Sequence, residues 1–561
     1  MDTRIKIYQL LEYKDFYDDG KSLANVESLL QGIPSVTLIN YLSGFNVNLY
    51  LHDNDELTGK IQFALVDSLL GKCSKSIKSK WCEVVKRIGE NSMPIMFFSY
   101  TNLLIYDFLF KHYNDEICRD LTSIEAENFF KAYLLFNGAV NSKYDFDKTE
   151  FDKDSECGKI EKSTIPYFIY QRDYESSLDF RNQLLRGYSF FQYLEKDVQF
   201  SVDVKKYYAQ KGVKGYSEIF KNLFVIFSKL NIEKQQRVQL VDLQQEYNCG
   251  LINLDYINSL CINKSIQDYS SDTNFSTIRN HILFKISEYR FFVLDVNFLL
   301  NHFYNAQVFA FNQYLKDNNI CKDFLSKKGK HFTEEIYLPH VLNECFPDYV
   351  KFYNSNCIDS NSEELCDAYV RKDNKILIIE LKDVLLNGEI KNSGDKSKIF
   401  DEFDKKFVKN EKGKQKGIAQ LFNAAIDISN NGVKFDVSLP TGNLEIYPVI
   451  IYTDNSFGID GLNKYYASLF SAELDKELLK VTVKNVCFIN LSYFEMHGDL
   501  LSSKQLDIFK LLDEYYKHIE SEQFSLTPFE VFSRAYLNEN NLGNNVSSKS
   551  FSKLLSKIMQ R

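Results

Sequence analysis

Two β-prone runs joined by a short polar segment constrain the fold of this chain most strongly. Residues 365–370 and 376–381 are rich in branched aliphatic and aromatic side chains, and residues 371–375 between them carry a turn signal. The pattern predicts a β-hairpin. The continuous apolar run 376–379 further indicates that its second strand is buried.

Acidic residues occupy matching positions on the two predicted strands. A two-residue loop at 373–374 places Asp367 directly opposite Glu380, with their Cβ atoms about 5 Å apart. Like charges at that distance repel unless a proton or a cation intervenes. Lys382 shares a face with Glu380, because side chains alternate along a strand. This set predicts a metal-dependent phosphodiesterase site, and its oxygen ligands suit Mg²⁺ or Mn²⁺.

A purely structural role for Glu380 and Lys382 is the alternative to a metal site. Glu380 and Lys382 would then form an ordinary ion pair or a solvated strand end. Glu-x-Lys triplets arise often by chance in a chain that is 25% charged, and residues 389–391 form another one nearby. The similar triplet Asp-Val-Lys at 203–205 follows an alternating apolar run at 198–202, and we expect it to end an ordinary strand.

The hairpin resembles the signature of the PD-(D/E)xK nuclease superfamily, also called restriction-endonuclease-like. That signature is an Asp, a hairpin and then Glu-x-Lys, which Asp367, Glu380 and Lys382 match. Cys366 stands where the family has proline. The resemblance covers roughly residues 320–495. It implies hydrolysis of nucleic-acid phosphodiester bonds, with Asp367 and Glu380 holding one or two Mg²⁺ ions and Lys382 positioning the attacking water.

The resemblance implies further site residues around the two carboxylates. The Leu381 carbonyl is expected as an additional metal ligand. An acidic side chain on the helix before the hairpin, predicted at 329–338, is expected to join them, with Glu335 the preferred match and Glu334 the second. The alternative for either glutamate is a solvent-facing position in a first helical turn, where the helix dipole favours negative charge.

A helix after the hairpin is predicted at 416–426, and the resemblance implies that its Gln420 lies near the active site. There Gln420 would hold the substrate or the catalytic lysine. The alternative is a polar residue on a helix surface. Residues 444–452 and 483–490 are predicted to add further strands to the same sheet.

A lysine-rich segment lies between the hairpin and this helix. Residues 391–416 contain nine lysines and five acidic residues, whereas the whole chain has a formal charge of −9. A local positive charge beside a phosphodiesterase centre would attract a nucleic-acid backbone. A solvated surface loop explains the segment equally well.

Apolar periodicity predicts an α+β multidomain protein. Residues 1–270 are expected to be predominantly helical, because their apolar residues recur at helical spacing. The charged run 141–164 is expected to be a linker or a long surface loop that divides this region into two subdomains. The resemblance implies that residues 271–500 form an α/β restriction-endonuclease-like core with a mixed central sheet. Residues 501–561 are expected to be a helical C-terminal appendage, with a helix entered through Ser502 or Ser503.

Cysteine usage and the N-terminal sequence predict a cytoplasmic protein. The eleven cysteines lack Cys-x-x-Cys spacing, so we expect reduced thiols rather than a disulfide framework or a zinc site. The N-terminus has no signal-peptide pattern. The apolar run 94–110 is interrupted by Asn102 and Asp107, which favours a buried helix over a membrane span.

These observations favour a Mg²⁺-dependent endonuclease that acts on DNA more readily than on RNA. A nuclease core joined to a large helical region resembles bacterial restriction or phage-defence effectors. The alternatives are a non-catalytic nucleic-acid-binding or protein-binding module, or a structural subunit that keeps a nuclease-like sheet. The helical half is the expected surface for a second copy of the chain or for another protein partner.

Overall fold

The chain forms an α+β fold with two compact units in the computed structural model. The structure describes residues 10–50, 55–88, 95–143, 165–166, 168–169, 178–232, 234, 237–358, 363–440, 442–542, 556 and 558. The helical unit comprises Ile7–Asp145, Tyr174–Asn318 and Lys557–Arg561. The sheet unit comprises Met1–Lys6, Phe146–Asp173 and Asn319–Ser556.

The helical unit is dominated by α-helices, as the apolar periodicity predicts. They are α1 (Tyr13–Phe16), α2 (Val26–Leu30), α3 (Ser35–Leu49), α4 (Asp55–Leu70), α5 (Lys75–Ile88), α6 (Ser99–Lys111), α7 (Ser123–Lys143), α8 (Phe180–Lys196), α9 (Ser201–Gln210), α10 (Tyr216–Lys229), α11 (Gln244–Asn248), α12 (Leu254–Ser259), α13 (Ser276–Asn280), α14 (Val296–Asn301) and α15 (Asn305–Asp317). No helix in the described part of the chain is long and apolar enough to cross a membrane.

A small antiparallel sheet completes the helical unit. Its strands are β1 (Leu240–Asp242), β2 (Leu283–Lys285) and β3 (Arg290–Val293), in the order β1-β3-β2. Ser43 on α3 donates to the Val293 carbonyl, and the Asn46 side chain donates to the Leu294 carbonyl at 2.8 Å. These contacts tie the β2–β3 hairpin to the N-terminal helices, so the boundary between the units lies after residue 318 rather than near 270.

The triplet at 203–205 is helical, and the prediction of a strand at 198–202 is wrong. Residues 203–205 lie within α9 (Ser201–Gln210). Val204, Tyr207 and Tyr208 are buried at a spacing of three to four residues, whereas Val198 is 99% exposed. The buried positions follow the period of a helix. Burying these side chains in a helix therefore determines the local structure, and the short apolar alternation before them does not form a strand.

The sheet unit contains a mixed sheet of six strands. They are β4 (Val350–Tyr353), β5 (Ala368–Lys372), β6 (Lys375–Lys382), β7 (Glu445–Tyr452), β8 (Thr482–Val483) and β9 (Cys487–Asn490). The order is β4-β5-β6-β7-β8, and β9 also pairs with β7. The pairs β4–β5 and β5–β6 are antiparallel, whereas β7 is parallel to β6, β8 and β9.

Helices cover this sheet. They are α16 (Phe324–Lys327), a π-helix (Lys328–Tyr337), α17 (Leu338–Cys345), α18 (Gly388–Lys391), α19 (Lys396–Phe407), α20 (Ile418–Asn431), α21 (Leu462–Leu474), α22 (Leu491–Ser502), α23 (Ile508–Glu520) and α24 (Phe529–Glu539). α20 packs on β6 and β7 through an apolar face of helical period, formed by Ile418, Leu421, Ala425 and Ile428.

The hairpin has the predicted register. Ala368 pairs with Ile379, and Lys372 pairs with Lys375 across the two-residue loop. Asp373 in this loop has a φ of 53°, a left-handed conformation that Asp tolerates in tight turns. One further step of the same register brings Asp367, just before β5, opposite Glu380 on β6.

The C-terminal helices α23 and α24 belong to the sheet unit. Their contacts with its strands show that they are not a separate appendage. Asp507 caps the N-terminus of α23 through the Phe509 and Lys510 amides, so neither Ser502 nor Ser503 is the cap. The same carboxylate binds Lys372 of β5 at 2.9 Å. From α24, Glu530 accepts from the Tyr452 hydroxyl at 2.9 Å.

Candidate functional site

The end of the hairpin brings the three predicted signature residues together. Asp367 is 8% exposed and Glu380 is 2% exposed. The Lys382 ammonium lies 2.8 Å from Glu380 Oε2, and the Leu381 amide donates to Asp367 Oδ2 at 2.7 Å. Two carboxylates and one ammonium therefore share a pocket that is largely closed to bulk water.

The electrostatics of the pocket are dominated by negative charge. Burial and the Glu380 carboxylate raise the pKa of Asp367 to about 8. Burial also raises the pKa of Glu380, against the opposing effect of Lys382. Burial disfavours the charged form of Lys382, but Glu380 and Asp367 outweigh it and raise the pKa of the lysine. Lys382 is thus a cation, while Asp367 holds its proton to unusually high pH.

Gln420 lies beside the lysine. Its Oε1 atom accepts from Lys382 Nζ at 3.3 Å and from the Gly417 amide at 2.8 Å. The second bond caps the N-terminus of α20, so the helix start itself holds the side chain in place. Glu380 and Gln420 together fix the ammonium between two oxygen atoms.

Glu334 and Glu364 complete an acidic cluster with Asp367. One carboxylate oxygen from each of the three residues lies within 4.8 Å of the others. Glu334 is half-buried, and burial with the Asp367 and Glu364 charges raises its pKa to about 7. Glu364 is exposed and lies three residues before Asp367. The cluster offers oxygen ligands from the π-helix and from two positions in the chain just before β5.

Glu335 does not join this cluster. Its Oε2 atom lies 2.9 Å from His331 Nδ1, and its side chain is 38% exposed. The π-helix explains the difference, since its hydrogen bonds span five residues, as from the Leu338 amide to the Thr333 carbonyl. Successive side chains therefore point in directions that α-helical periodicity does not give, and Glu334 takes the position expected for Glu335.

The Leu381 carbonyl stays a predicted ligand. The N–H and C=O of one residue point to the same side of a strand, and the Leu381 amide points to Asp367. Its carbonyl therefore lies on the strand edge that carries the carboxylates. The direction of the backbone is compatible with the expected role.

A buried polar network links the π-helix to the sheet next to the site. Asp383 follows Lys382, and its carboxylate accepts from Lys328 Nζ at 2.6 Å, Thr333 Oγ1 at 2.6 Å and Thr453 Oγ1 at 2.8 Å. Burial raises the pKa of Asp383, but these three donors outweigh it and lower the pKa. Since Thr333 precedes Glu334, the network holds the acidic residue over the hairpin.

No protein-family model, curated protein or solved structure matches the chain in the three comparisons made with known proteins. The site is therefore interpreted from its own residues. Of the residues predicted from the sequence, Asp367, Glu380, Lys382 and Gln420 converge and Glu335 does not. Glu364 and Asp383 are additions from the structure. Only one sequence signal could have found them: Glu364 lies three residues before Asp367, and Asp383 directly follows Lys382.

We predict that Asp367→Asn stabilises the metal-free protein at pH 8. The folded-state pKa of about 8 exceeds the usual Asp value of about 3.9, so the contribution of this group is present at low pH and is lost as pH rises toward 8. Asparagine still accepts from the Leu381 amide and does not titrate. Thermal unfolding in EDTA at pH 5 and pH 8 measures the effect.

The gain in melting temperature of Asp367→Asn over wild type should grow between pH 5 and pH 8, by about 2–4 °C for each kcal/mol. Glu335→Gln is the matched control, and its melting temperature should follow that of wild type at both pH values. A lower melting temperature for Asp367→Asn at pH 8 would show that the carboxylate stabilises the metal-free fold.

Proposed function

We propose that the sheet unit is a metal-dependent nuclease that hydrolyses nucleic-acid phosphodiester bonds, with DNA the favoured substrate. The observation that carries the proposal is the convergence of Glu334, Glu364 and Asp367 beside the buried Glu380–Lys382 pair. Three carboxylates within 4.8 Å of one another are costly unless they share protons or a cation. Such an arrangement is typical of a catalytic centre rather than of a structural ion pair.

The donor set fits a hard divalent cation. All side-chain donors are carboxylate oxygens, which suit Mg²⁺ or Mn²⁺, and the exposed Glu364 leaves one side open to a substrate phosphate. Glu334, Glu364 and Asp367 would hold the ion, with Glu380 and the Leu381 carbonyl adjacent. When bound, it would polarise the phosphate and neutralise developing charge.

Lys382 has the clearest role among the residues of the chain. Its ammonium is fixed by Glu380 and Gln420 and its pKa is raised, so it carries a positive charge at neutral pH. A permanently charged lysine is a poor proton acceptor. It would instead orient the attacking water and stabilise the negative charge that develops on the phosphate.

The order of elements also supports a PD-(D/E)xK type of core. A helix carrying Glu334 precedes the hairpin, and α20 carrying Gln420 follows it. β7 then returns parallel to β6, so that a crossover through α20 covers one face of the hairpin's second strand. The positions of these two helices before and after the hairpin are those that the resemblance implies.

The test is cleavage of supercoiled plasmid by the full chain in Mg²⁺ or Mn²⁺, with EDTA as the metal-free comparison. We expect nicked or linear product only with metal. Glu334→Gln should lower the cleavage rate at least about tenfold, a loss of about 1.4 kcal/mol of transition-state stabilisation, since it removes a cluster carboxylate. Glu335→Gln should cleave at the wild-type rate.

Equal rates for the two glutamine variants would exclude Glu334 from the site. Binding of DNA or RNA with no metal-dependent cleavage of either would overturn the nuclease proposal and favour a nucleic-acid-binding module. The same assay with an RNA substrate separates the two nucleic acids, because the site chemistry acts on either phosphodiester backbone.

A further inference from the structure

We propose that residues 409–417, here called the lysine loop, bind backbone phosphates of the nucleic acid next to the bond that is cleaved. This inference rests on the proposed nuclease function and deepens it by assigning the surface that holds the substrate. The residues that carry it are Lys412, Lys414 and Lys416.

The lysine loop has an ordered backbone. Lys409 and Gln415 form an antiparallel bridge, and the Lys416 amide donates to the Val408 carbonyl at 2.8 Å. Asn410 Oδ1 accepts from the Lys412 amide at 3.1 Å and from the Lys414 amide at 2.9 Å. The three lysines are thus presented from a preformed turn, which lowers the entropy cost of binding.

The end of the loop contacts the candidate catalytic lysine. The Gly417 amide donates to Gln420, which also accepts from Lys382. A Cβ atom on Gly417 would lie 3.1 Å from Lys382 Cε and 3.0 Å from the Phe407 carbonyl oxygen, and the φ of this residue is +41°. Glycine therefore allows the loop to lie directly against the site, with Lys416 one residue away.

The charge of the loop differs from that of the preceding helix. On α19 and at its start, lysines pair with acidic residues: Lys398 with Asp395 at 3.1 Å, Lys405 with Glu411 at 3.0 Å and Lys406 with Glu402 at 3.0 Å. Within the described ranges, no carboxylate forms such an ion pair with Lys412, Lys414 or Lys416. The positive charge of the segment is therefore concentrated at the loop.

Lys416 is the most telling member of the loop. It is half-buried, and burial together with the Lys382 and Lys414 charges lowers its pKa, although Glu380 and Asp367 act in the opposite sense from a distance. A phosphate oxygen at this position would supply the missing counter-charge. Lys412 and Lys414 are exposed and extend the positive surface away from the pocket.

The experiment measures binding without cleavage. Fluorescence anisotropy in EDTA follows a short labelled DNA duplex, and in a second arm an RNA duplex, over a range of salt concentrations. The loop variant is Lys412→Gln/Lys414→Gln/Lys416→Gln, and the control is Lys398→Gln/Lys406→Gln/Lys476→Gln, whose lysines pair with carboxylates outside the loop. Both variants lose three positive charges from the sheet unit, so a general charge effect would appear in both.

We expect the loop variant to bind more weakly than wild type. The slope of log K against log[salt] is negative, and its magnitude should decrease by about 0.9 for each lysine that contacts a phosphate. The control should keep a slope close to that of wild type. Equal slopes for the loop variant and wild type, equal losses in both variants, or no binding by wild type would each overturn the proposal. If the loop variant binds more weakly but wild type never cleaves, the result would support phosphate binding by the lysine loop and contradict the proposed nuclease function.

Discussion

Lys382→Ala is expected to reduce metal-dependent cleavage by about 10²–10³-fold or more, the loss seen when a preorganised electrostatic group is removed from an active site. The lysine is fixed between Glu380 at 2.8 Å and Gln420 at 3.3 Å in a buried pocket. Water that enters in its place cannot supply a fixed positive charge. The single-turnover rate of plasmid nicking at saturating Mg²⁺ measures the loss.

Removing this ammonium also leaves Glu380 buried without its cation, so the fold needs an independent check. Lys382→Gln retains a donor for Glu380 without the charge, and we expect it to lose activity as the alanine variant does. Lys476→Ala, which breaks only an exposed pair with Glu473, should cleave at the wild-type rate. A folded Lys382→Gln protein with wild-type cleavage would exclude the lysine from the reaction.

The hairpin and its register could be predicted from sequence because they depend on local interactions. A two-residue loop at 373–374 leaves one pairing of the two runs, in which Asp367 meets Glu380. Gln420 was placed near Lys382 by the resemblance alone, and in the structure α20 packs on β6 and β7 with Gln420 beside the lysine.

The rest of the acidic cluster depends on features that local patterns do not encode. Glu334 rather than Glu335 joins the cluster because this segment is a π-helix. Lys328 and Thr333 of the same π-helix donate hydrogen bonds to Asp383. α-Helical periodicity cannot give the direction of side chains on such a segment. Glu364 forms only an isolated bridge with Ile358, before β5 begins, so strand alternation could not assign it either.

The extent of the two units shows the same limit. The β2–β3 hairpin lies within residues 271–318, which were expected to belong to the core, and a helix, α14, follows it. Its partners, β1 and α3, are distant in sequence, and they tie it to the helical unit. The fold class could thus be predicted, whereas the assignment of the hairpin to a unit required the tertiary contacts.

Asp436→Ala is expected to destabilise the sheet unit by about 3–5 kcal/mol, because it leaves a buried guanidinium without its counter-charge. Asp436 is 3% exposed and Arg371 on β5 is 6% exposed. Arg371 Nη2 lies 3.1 Å from Asp436 Oδ1, and the Tyr369 hydroxyl donates to Oδ2 at 3.0 Å. Urea unfolding followed by circular dichroism should show a lower midpoint.

A matched double substitution distinguishes an unpaired charge from simple loss of packing. In Arg371→Met/Asp436→Leu both charges are replaced by apolar side chains, so the energetic cost of burying an isolated cation disappears. We expect most of the stability lost in Asp436→Ala to return. Asp507→Ala is the exposed control: it breaks the partly exposed pair with Lys372 and removes the α23 cap, and its cost should be near 1 kcal/mol. If the double variant unfolds at the same urea concentration as Asp436→Ala, the Arg371–Asp436 contact stabilises the hairpin through packing rather than through charge.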